Sequence, residues 1–313
     1  MKSAAKSAAI RLLPLLLAAI AVWVFWHQLH GLSLDQITGV IAQWSVTRLA
    51  VALSLVAAAY MMLVLNEQIG LRWAGARVRL VAGAAASFIA HALANNLGLG
   101  VLAGGALRVS VFTRYGVSLV QVAKITAYGT STFSLGVATL GGVSLLRATA
   151  ATFAALHVSP ELGRAIGVLL VCVPVVYVCA CALAPQGMTI LGHEFRPPKP
   201  AIALVQIAFG MTDVALGGAL FWVLLGPTAP HYTAFLAAYL VSLTTGLISG
   251  VPGGVGVFES GMLLLLPSVD RDVLAAALLG YRLFYYLTPL VPALALLISR
   301  HPRPSPQESA SAG

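Results

Sequence analysis

The chain contains the segment SGVPGGVGVFE at residues 249–259, a glycine-rich interruption of an otherwise apolar stretch. A second interruption, NNLGLGVLAGG at residues 95–105, lies in the first half of the chain. Inside a bilayer, a non-helical loop persists only where it is buried in protein or lines a water-filled cavity. Two interrupted apolar segments in the two halves of a membrane protein indicate a transport site. We predict two hairpin loops, formed by Gly98, Gly100, Gly104, Gly105, Pro252, Gly253, Gly254 and Gly256.

The composition places the chain in a membrane. Hydrophobic residues make up 59% of it and charged residues 9%, and the mean hydropathy is +0.94. A soluble domain carries about 25% charged residues, so a soluble fold is excluded. The net charge of +9 is scattered between apolar spans without an aromatic-interleaved basic patch, which argues against nucleic acid as a partner. The basic excess indicates membrane orientation and attraction to anionic lipid headgroups.

The apolar runs predict an all-α polytopic membrane protein of eight hydrophobic units. About six are full spans, near residues 12–30, 47–66, 119–146, 162–184, 201–225 and 273–298. The other two, near 80–115 and 233–266, are predicted to be opposed re-entrant helical hairpins, and an inverted repeat is a hypothesis. The N-terminal run is predicted to be an uncleaved span because no small-residue cleavage site follows it. Residues 1–299 form one transmembrane domain in this interpretation, and 300–313 form a disordered cytoplasmic tail.

The distribution of basic residues predicts the orientation. We place both termini in the cytoplasm of a bacterial inner membrane, with the first hairpin entering from inside and the second from outside. Thirteen basic residues are then cytoplasmic: Lys2, Lys6, Arg11, Arg72, Arg77, Arg79, Arg108, Arg114, Lys124, Arg196, Lys199, Arg300 and Arg303. Four lie outside: Arg48, Arg147, Arg164 and Arg271. The bias follows the positive-inside rule.

Three ionisable residues, Asp213, Glu259 and Arg282, lie deep in predicted membrane segments. Such residues are costly in a bilayer, so they face a cavity or pair with one another. Glu259 opens a helix whose free amides offset part of its charge, and Arg282 is one span away. Either the two form a structural ion pair, or Arg282 takes a lipid phosphate. Asp213 is either a polar packing contact among small residues, a proton-coupling carboxylate or a contact to a cationic headgroup.

The first interruption carries further candidates for substrate binding. Arg108 is either a positive-inside anchor or a phosphate contact at the cytoplasmic mouth, aided by the amides of the glycine loop. Asn95 and Asn96 either cap helix ends or line the cavity. The tyrosines of the last span, Tyr281, Tyr285 and Tyr286, are interpreted as packing or interfacial aromatics.

Enzyme and metal chemistry find no support in the sequence. Cys172, Cys179 and Cys181 have no histidine or acidic neighbour, so neither a metal site nor a disulfide framework is predicted. A serine protease would need a histidine base in the final span, which offers Arg282 instead. No nucleotide-binding motif occurs, so transport would be downhill, ion-coupled or driven by a partner. We predict no cofactor.

Three motifs carry a family resemblance. They are NN…GGxxR at 95–108 with YGVS at 115–118, PGGxGVxE at 252–259, and YR with YYxxP at 281–289. The chain resembles the membrane region of the lysylphosphatidylglycerol synthetase/flippases, the multiple peptide resistance factors, and their stand-alone flippase-like relatives. The resemblance covers most of residues 10–298. It implies movement of an aminoacylated phospholipid, or of another anionic or polyprenyl-linked lipid, between leaflets.

The bifunctional members of that family continue into a cytoplasmic aminoacyl-transferase domain about where this chain ends. The resemblance therefore implies a transporter without the synthase chemistry. We expect a site between the two hairpins, lined by Arg108, Asp213, Glu259 and Arg282, with membrane phospholipid as the partner. The alternative is a non-transporting membrane partner or anchor for a separate lipid-modifying enzyme. Many small residues are compatible with helix association between chains, so a homo-oligomer stays open.

Overall fold

The computed structural model describes residues 34–97, 100–156, 158–183, 188–190, 193–195, 197–249, 251, 254 and 256–299. The predicted first span at 12–30 and the predicted tail at 300–313 lie outside the described residues. So do three of the predicted loop residues, Gly98, Pro252 and Gly253.

The described chain is predominantly helical. The helices are α1 (Leu34–Ala42), α2 (Val46–Trp73), α3 (Leu80–Leu97), α4 (Gly100–Phe112), α5 (Leu119–Leu146), α6 (Ala150–Ala155), α7 (Pro160–Leu183), α8 (Pro200–Leu225), α9 (Tyr232–Ile248), α10 (Val257–Leu265), α11 (Arg271–Tyr281) and α12 (Thr288–Ser299). A π-helical segment, Arg282–Leu287, joins α11 to α12 without a break. Two short strands, β1 (Met188–Ile190) and β2 (His193–Phe195), pair antiparallel between α7 and α8. This small hairpin is an exception to the all-α prediction.

Five segments are long and apolar enough to cross a membrane. They are Val46–Trp73, Leu119–Leu146, Pro160–Leu183, Pro200–Thr228 and Arg271–Ser299. They coincide with five of the six predicted full spans and indicate a multi-pass membrane protein. The first of them extends beyond its predicted end at residue 66, which brings Glu67 into the bundle.

The two glycine-rich interruptions fold differently. The prediction that Gly100, Gly104 and Gly105 form a loop is wrong, because α4 begins at Gly100 and includes all three. A glycine weakens a helix by roughly 1 kcal/mol relative to alanine, but backbone groups in an apolar bundle gain more from staying hydrogen-bonded. In the second interruption the described residues Gly254 and Gly256 have positive φ angles of 62° and 79°, which fits a loop at these two positions. In both segments the two flanking helices pack against each other.

Helix α8 is the centre of the bundle and packs against α2, α5, α7, α9 and α11. Its closest contact is with α5, where Gly210 meets Gly136. A Cβ atom at Gly136 would overlap the backbone of Gly210, and one at Gly210 would overlap the carbonyl oxygen of Thr132. Glycine at both positions lets the two backbones touch, as small residues do at membrane helix interfaces.

Candidate functional site

A cavity of about 500 Å³ lies within the bundle. Residues of α2, α3, α4, α5, α8, α9, α10 and the final span line it, and much of the wall is apolar. Its polar lining includes His91, Asn95, Arg108, Asp213, Tyr285 and Tyr286. A volume of this size is within the range of small-molecule sites, which combine apolar walls with a few placed polar groups.

Arg108 is held in the lining by a buried ion pair with Glu67 of α2. The guanidinium Nε donates to Glu67 Oε1 at 2.7 Å, and Nη2 donates to Oε2 at 3.2 Å. His91 Nε2 of α3 lies 3.0 Å from the same Oε2. Glu67 is 1% exposed, so its charge is offset by these neighbours and not by water. The cluster ties α2, α3 and α4 together at one wall of the cavity.

One edge of the Arg108 guanidinium is not used in the ion pair with Glu67. Nε and Nη2 bond to Glu67, whereas Nη1 makes no hydrogen bond to the residues that the structure describes. Arginine has five N–H donors in a planar fork, so an arginine that neutralises one carboxylate can still bind a second anion. Arg108 is the predicted site residue whose geometry suits a cavity ligand of negative charge.

Asp213 of α8 also lines the cavity. Its Oδ1 is buried and has no hydrogen-bond partner within the described part of the chain, and no ion pair of Asp213 occurs there. Small neighbours surround it as predicted. Gly210 contacts α5, and a Cβ at Gly217 would lie 2.8 Å from the hydroxyl of Tyr239. Small-residue packing is therefore present, but it leaves the carboxyl itself unsatisfied.

The predicted pairing of Glu259 with Arg282 is confirmed. Glu259 Oε1 accepts from Arg282 Nη2 at 2.7 Å and from Nε at 3.1 Å. Its other oxygen accepts from the backbone N–H of Gly256 at 2.7 Å, at the start of α10. The carboxylate therefore sits at a helix N-terminus, where the free amides favour negative charge.

Aromatic rings separate this second ion pair from the cavity. The Arg282 guanidinium lies 4.8 Å from the ring centre of Tyr286 and 5.9 Å from that of Phe258, and both rings line the cavity. Neither Glu259 nor Arg282 is among the lining residues that the structure describes. The expectation that they line the cavity directly therefore differs from the structure, in which they support its wall. Arg282 belongs to the π-helical segment, a rare geometry that is frequent at functional sites.

The two asparagines of α3 have separate surroundings. Asn95 lines the cavity and donates to the hydroxyl of Tyr60 at 3.3 Å. Asn96 does not line it, and its amide donates to the carbonyl oxygens of Ala92 at 2.8 Å and Tyr286 at 3.1 Å. Asn96 thus fastens the end of α3 to the π-helical segment, where regular backbone pairing is disturbed.

Sequence reasoning missed Glu67 and the role of His91. Glu67 lies one residue beyond the predicted end of its span, so it was not counted among the intramembrane charges. The polar run Asn66-Glu67-Gln68 is followed by Ile69, Gly70 and Leu71 before the next charged residue, and this continuation is the signal that would have placed it inside the helix. Within the described residues, no group of three or more histidine, cysteine or acidic side chains could hold a metal ion.

Comparison with known proteins places the chain among membrane proteins. It is 30% identical over 273 residues to the uncharacterized protein slr0712 of Synechocystis, covering 85% of this chain and 84% of the relative. It is 30% identical over 212 residues to the inner membrane protein YbhN of Escherichia coli, covering 66% of each. No protein-family model matches the chain.

A shorter match connects it to lipid-modifying enzymes. The chain is 37% identical over 67 residues to a phosphatidylglycerol lysyltransferase of Staphylococcus haemolyticus, covering 21% of this chain and 8% of the enzyme. The match is therefore to a small part of that enzyme. With the three motifs and the multi-pass helical bundle, these similarities show that the chain belongs to the family of membrane proteins that includes slr0712 and YbhN and is related to the transmembrane region of the lysylphosphatidylglycerol synthetases.

Proposed function

We propose that the protein is a lipid flippase or transporter of the inner membrane, which moves an anionic or aminoacylated phospholipid between leaflets. The observation that carries the proposal is Arg108, which lines a cavity with mostly apolar walls and whose Nη1 makes no hydrogen bond to the described residues. A guanidinium matches a phosphate in shape and charge, and apolar walls suit the parts of a lipid next to its headgroup. The relationship to phosphatidylglycerol lysyltransferases supports a phospholipid as the substrate.

The two helix pairs provide a route for alternating access. The pair α3–α4 contributes His91, Asn95 and Arg108 to the lining, and the pair α9–α10 contributes Gly254 and Phe258. In our proposal both pairs are re-entrant and enter from opposite faces, with both termini in the cytoplasm. Movement of one pair against the rest of the bundle would open the cavity to one face at a time.

Reconstitution in liposomes tests this function. Purified protein is placed in vesicles with labelled phosphatidylglycerol or lysylphosphatidylglycerol in one leaflet, and accessibility to a membrane-impermeant quencher is followed. We expect faster exchange than in protein-free vesicles, and a return to the protein-free rate in the double variant Glu67→Gln/Arg108→Gln. The double variant removes both charges of the pair, so no buried charge is left uncompensated. Arg164→Gln, which alters an exposed arginine of α7, is the matched control.

Unchanged exchange in the double variant would contradict the role of Arg108 in binding the headgroup. A second function is favoured by one observation: Arg108 and Arg282 both form ion pairs, so their charges serve the fold even without a substrate. The protein would then be a non-transporting partner or anchor for a separate lipid-modifying enzyme. Absence of exchange for both lipids with the wild-type protein would favour this second function.

The ion pair behind the cavity wall gives a separate prediction. Glu259→Gln keeps an acceptor for Arg282 but removes the charge that fixes it, so Tyr286 and Phe258 lose their support. We expect lipid exchange to fall about tenfold, which corresponds to about 1.4 kcal/mol, and a similar or larger loss in Arg282→Ala. Glu161→Gln, at an exposed carboxylate in the first turn of α7, controls for loss of a carboxylate. Full exchange in both variants at wild-type expression would exclude the pair from the transport site.

A further inference from the structure

Three acidic side chains lie within the described bundle, and they have different partners. Glu67 is bound by Arg108 and His91, and Glu259 is bound by Arg282 and a helix N-terminus. Asp213 has no such partner among the described residues, and its Oδ1 is buried without a hydrogen bond. An unpaired carboxylate is expensive in apolar surroundings, whereas a carboxylic acid carries no charge there. The difference sets Asp213 apart from the two structural carboxylates.

The ionisable side chains that interact electrostatically with Asp213 are phenols. Tyr60 of α2, Tyr239 of α9 and Tyr285 of the π-helical segment interact with it electrostatically. Ionisable side chains of α5 and α7 show no interaction with it, and Tyr281 of α11 bonds to the hydroxyl of Tyr239 at 2.9 Å. The basic side chains of the same cavity wall, Arg108 and His91, are bound to Glu67. No described cation therefore compensates a charge on Asp213.

We propose that Asp213 is a proton-binding site that couples lipid movement to a proton gradient. This inference rests on the proposed function. Asp213 and Arg108 line the same cavity, so a headgroup bound there is in contact with the same water as the carboxyl of Asp213. When the cavity opens to one face, water supplies a proton to the carboxylate of Asp213. The cavity loaded with lipid closes around the neutral acid, and the proton returns to water when the cavity opens to the other face. The empty cavity keeps its water and returns with the carboxylate ionised, so each cycle moves one proton across the membrane with one lipid.

The closed state explains why the proton is required. Closing the cavity around a lipid removes water from Asp213, and the neighbouring phenols offer no positive charge in its place. With lipid bound, the ionised form therefore favours the open cavity and the protonated form allows closure, whereas the empty cavity keeps water around the carboxylate. Glu67 and Glu259 cannot act in this way, because the arginine bound to each of them compensates its charge whether the cavity is open or closed.

The test uses full-length protein in vesicles with a pH difference across the membrane. For one proton per lipid, a difference of one pH unit shifts the leaflet ratio of labelled phosphatidylglycerol by up to about tenfold in the wild type. We expect the exchange that remains in Asp213→Asn to show no shift with the pH difference, and Asp213→Glu to recover part of the shift. Asp272→Asn, at an exposed carboxylate of α11, is the control and should behave like the wild type.

The possible failures are distinguishable. Proton coupling is overturned if wild-type exchange does not depend on the pH difference, or if the shift of the leaflet ratio persists in Asp213→Asn. Either result is still compatible with lipid transport. Loss of lysylphosphatidylglycerol exchange alone in Asp213→Asn overturns it in favour of an ammonium contact. Infrared difference spectra of the lipid-free protein add an independent readout. A carboxylic-acid C=O band that changes with pH and is missing in Asp213→Asn supports the proton site, and its absence in the wild type overturns it.

Discussion

Arg108→Gln is expected to destabilise the folded protein by about 3–5 kcal/mol, because it leaves the carboxylate of Glu67 buried without its cation. Glu67→Gln should have a similar effect, since the guanidinium of Arg108 would then be buried without a negative charge and one of its two acceptor oxygens would be replaced by an amide donor. The double variant Glu67→Gln/Arg108→Gln is expected to recover most of the stability, because two neutral amides keep the hydrogen-bonding shape without a buried charge. The two single losses would therefore be far from additive.

The measurement is the thermal midpoint and the denaturant midpoint of purified protein in detergent, for the wild type and the three variants. Arg164→Gln serves as the control, since the side chain that it alters is exposed on α7. A double variant as unstable as the sum of the single variants would show that the pair does not act as a unit. The same double variant then reports on lipid exchange without the complication of misfolding.

The contact between α5 and α8 gives the second large effect. Gly136→Ala and Gly210→Ala each place a Cβ inside the backbone of the other helix, and no side-chain rotation relieves a clash of that kind. Overpacking a core costs typically 1–3 kcal/mol, and we expect these changes to reach about 3 kcal/mol or more. Loss of the monodisperse peak in fluorescence-detected size-exclusion chromatography would report the loss of folded protein.

Gly141→Ala is the matched control on the same helix. A Cβ there would lie 3.6 Å from Leu170 Cδ1, which is an ordinary van der Waals contact. We expect this variant to be at least as stable as the wild type, because alanine favours a helix more than glycine does. Equal behaviour of Gly136→Ala and Gly141→Ala would contradict a direct backbone contact between α5 and α8.

The long apolar helices could be predicted from the sequence, and the short-range break at Gly254 and Gly256 could be predicted as well. Hydropathy over about 20 residues is a strong signal, and a proline with several glycines cannot continue a helix. Gly100, Gly104 and Gly105 were misassigned because glycine is compatible with both a loop and a membrane helix. Whether a loop or a helix forms depends on the helices that pack against the glycines, and a local stretch of sequence does not show which helices these are.

The candidate site was predicted in part, and the missing part was tertiary. Asp213 was identified from its depth in an apolar segment, and Arg108 and Asn95 from their places in the first glycine-rich interruption; the three line one cavity. Glu67 escaped because the end of its span was drawn one residue too early. The aromatic wall between Arg282 and the cavity could not be predicted either, because it depends on how the π-helical segment places Tyr286 against the guanidinium of Arg282. Such arrangements require the packed helices.

The ion pair between Glu67 and Arg108 has a consequence for how the protein is made. Glu67 precedes His91 by 24 residues and Arg108 by 41, so the ribosome delivers the carboxylate long before its cation. A charged residue in a membrane helix costs up to roughly 2.5–3.5 kcal/mol on insertion scales, the value at the helix centre, and Glu67 lies toward the C-terminal end of its helix. Helix α2 would therefore remain beside the translocation machinery until α4 has been synthesised, and α2, α3 and α4 would leave it for the lipid as one unit.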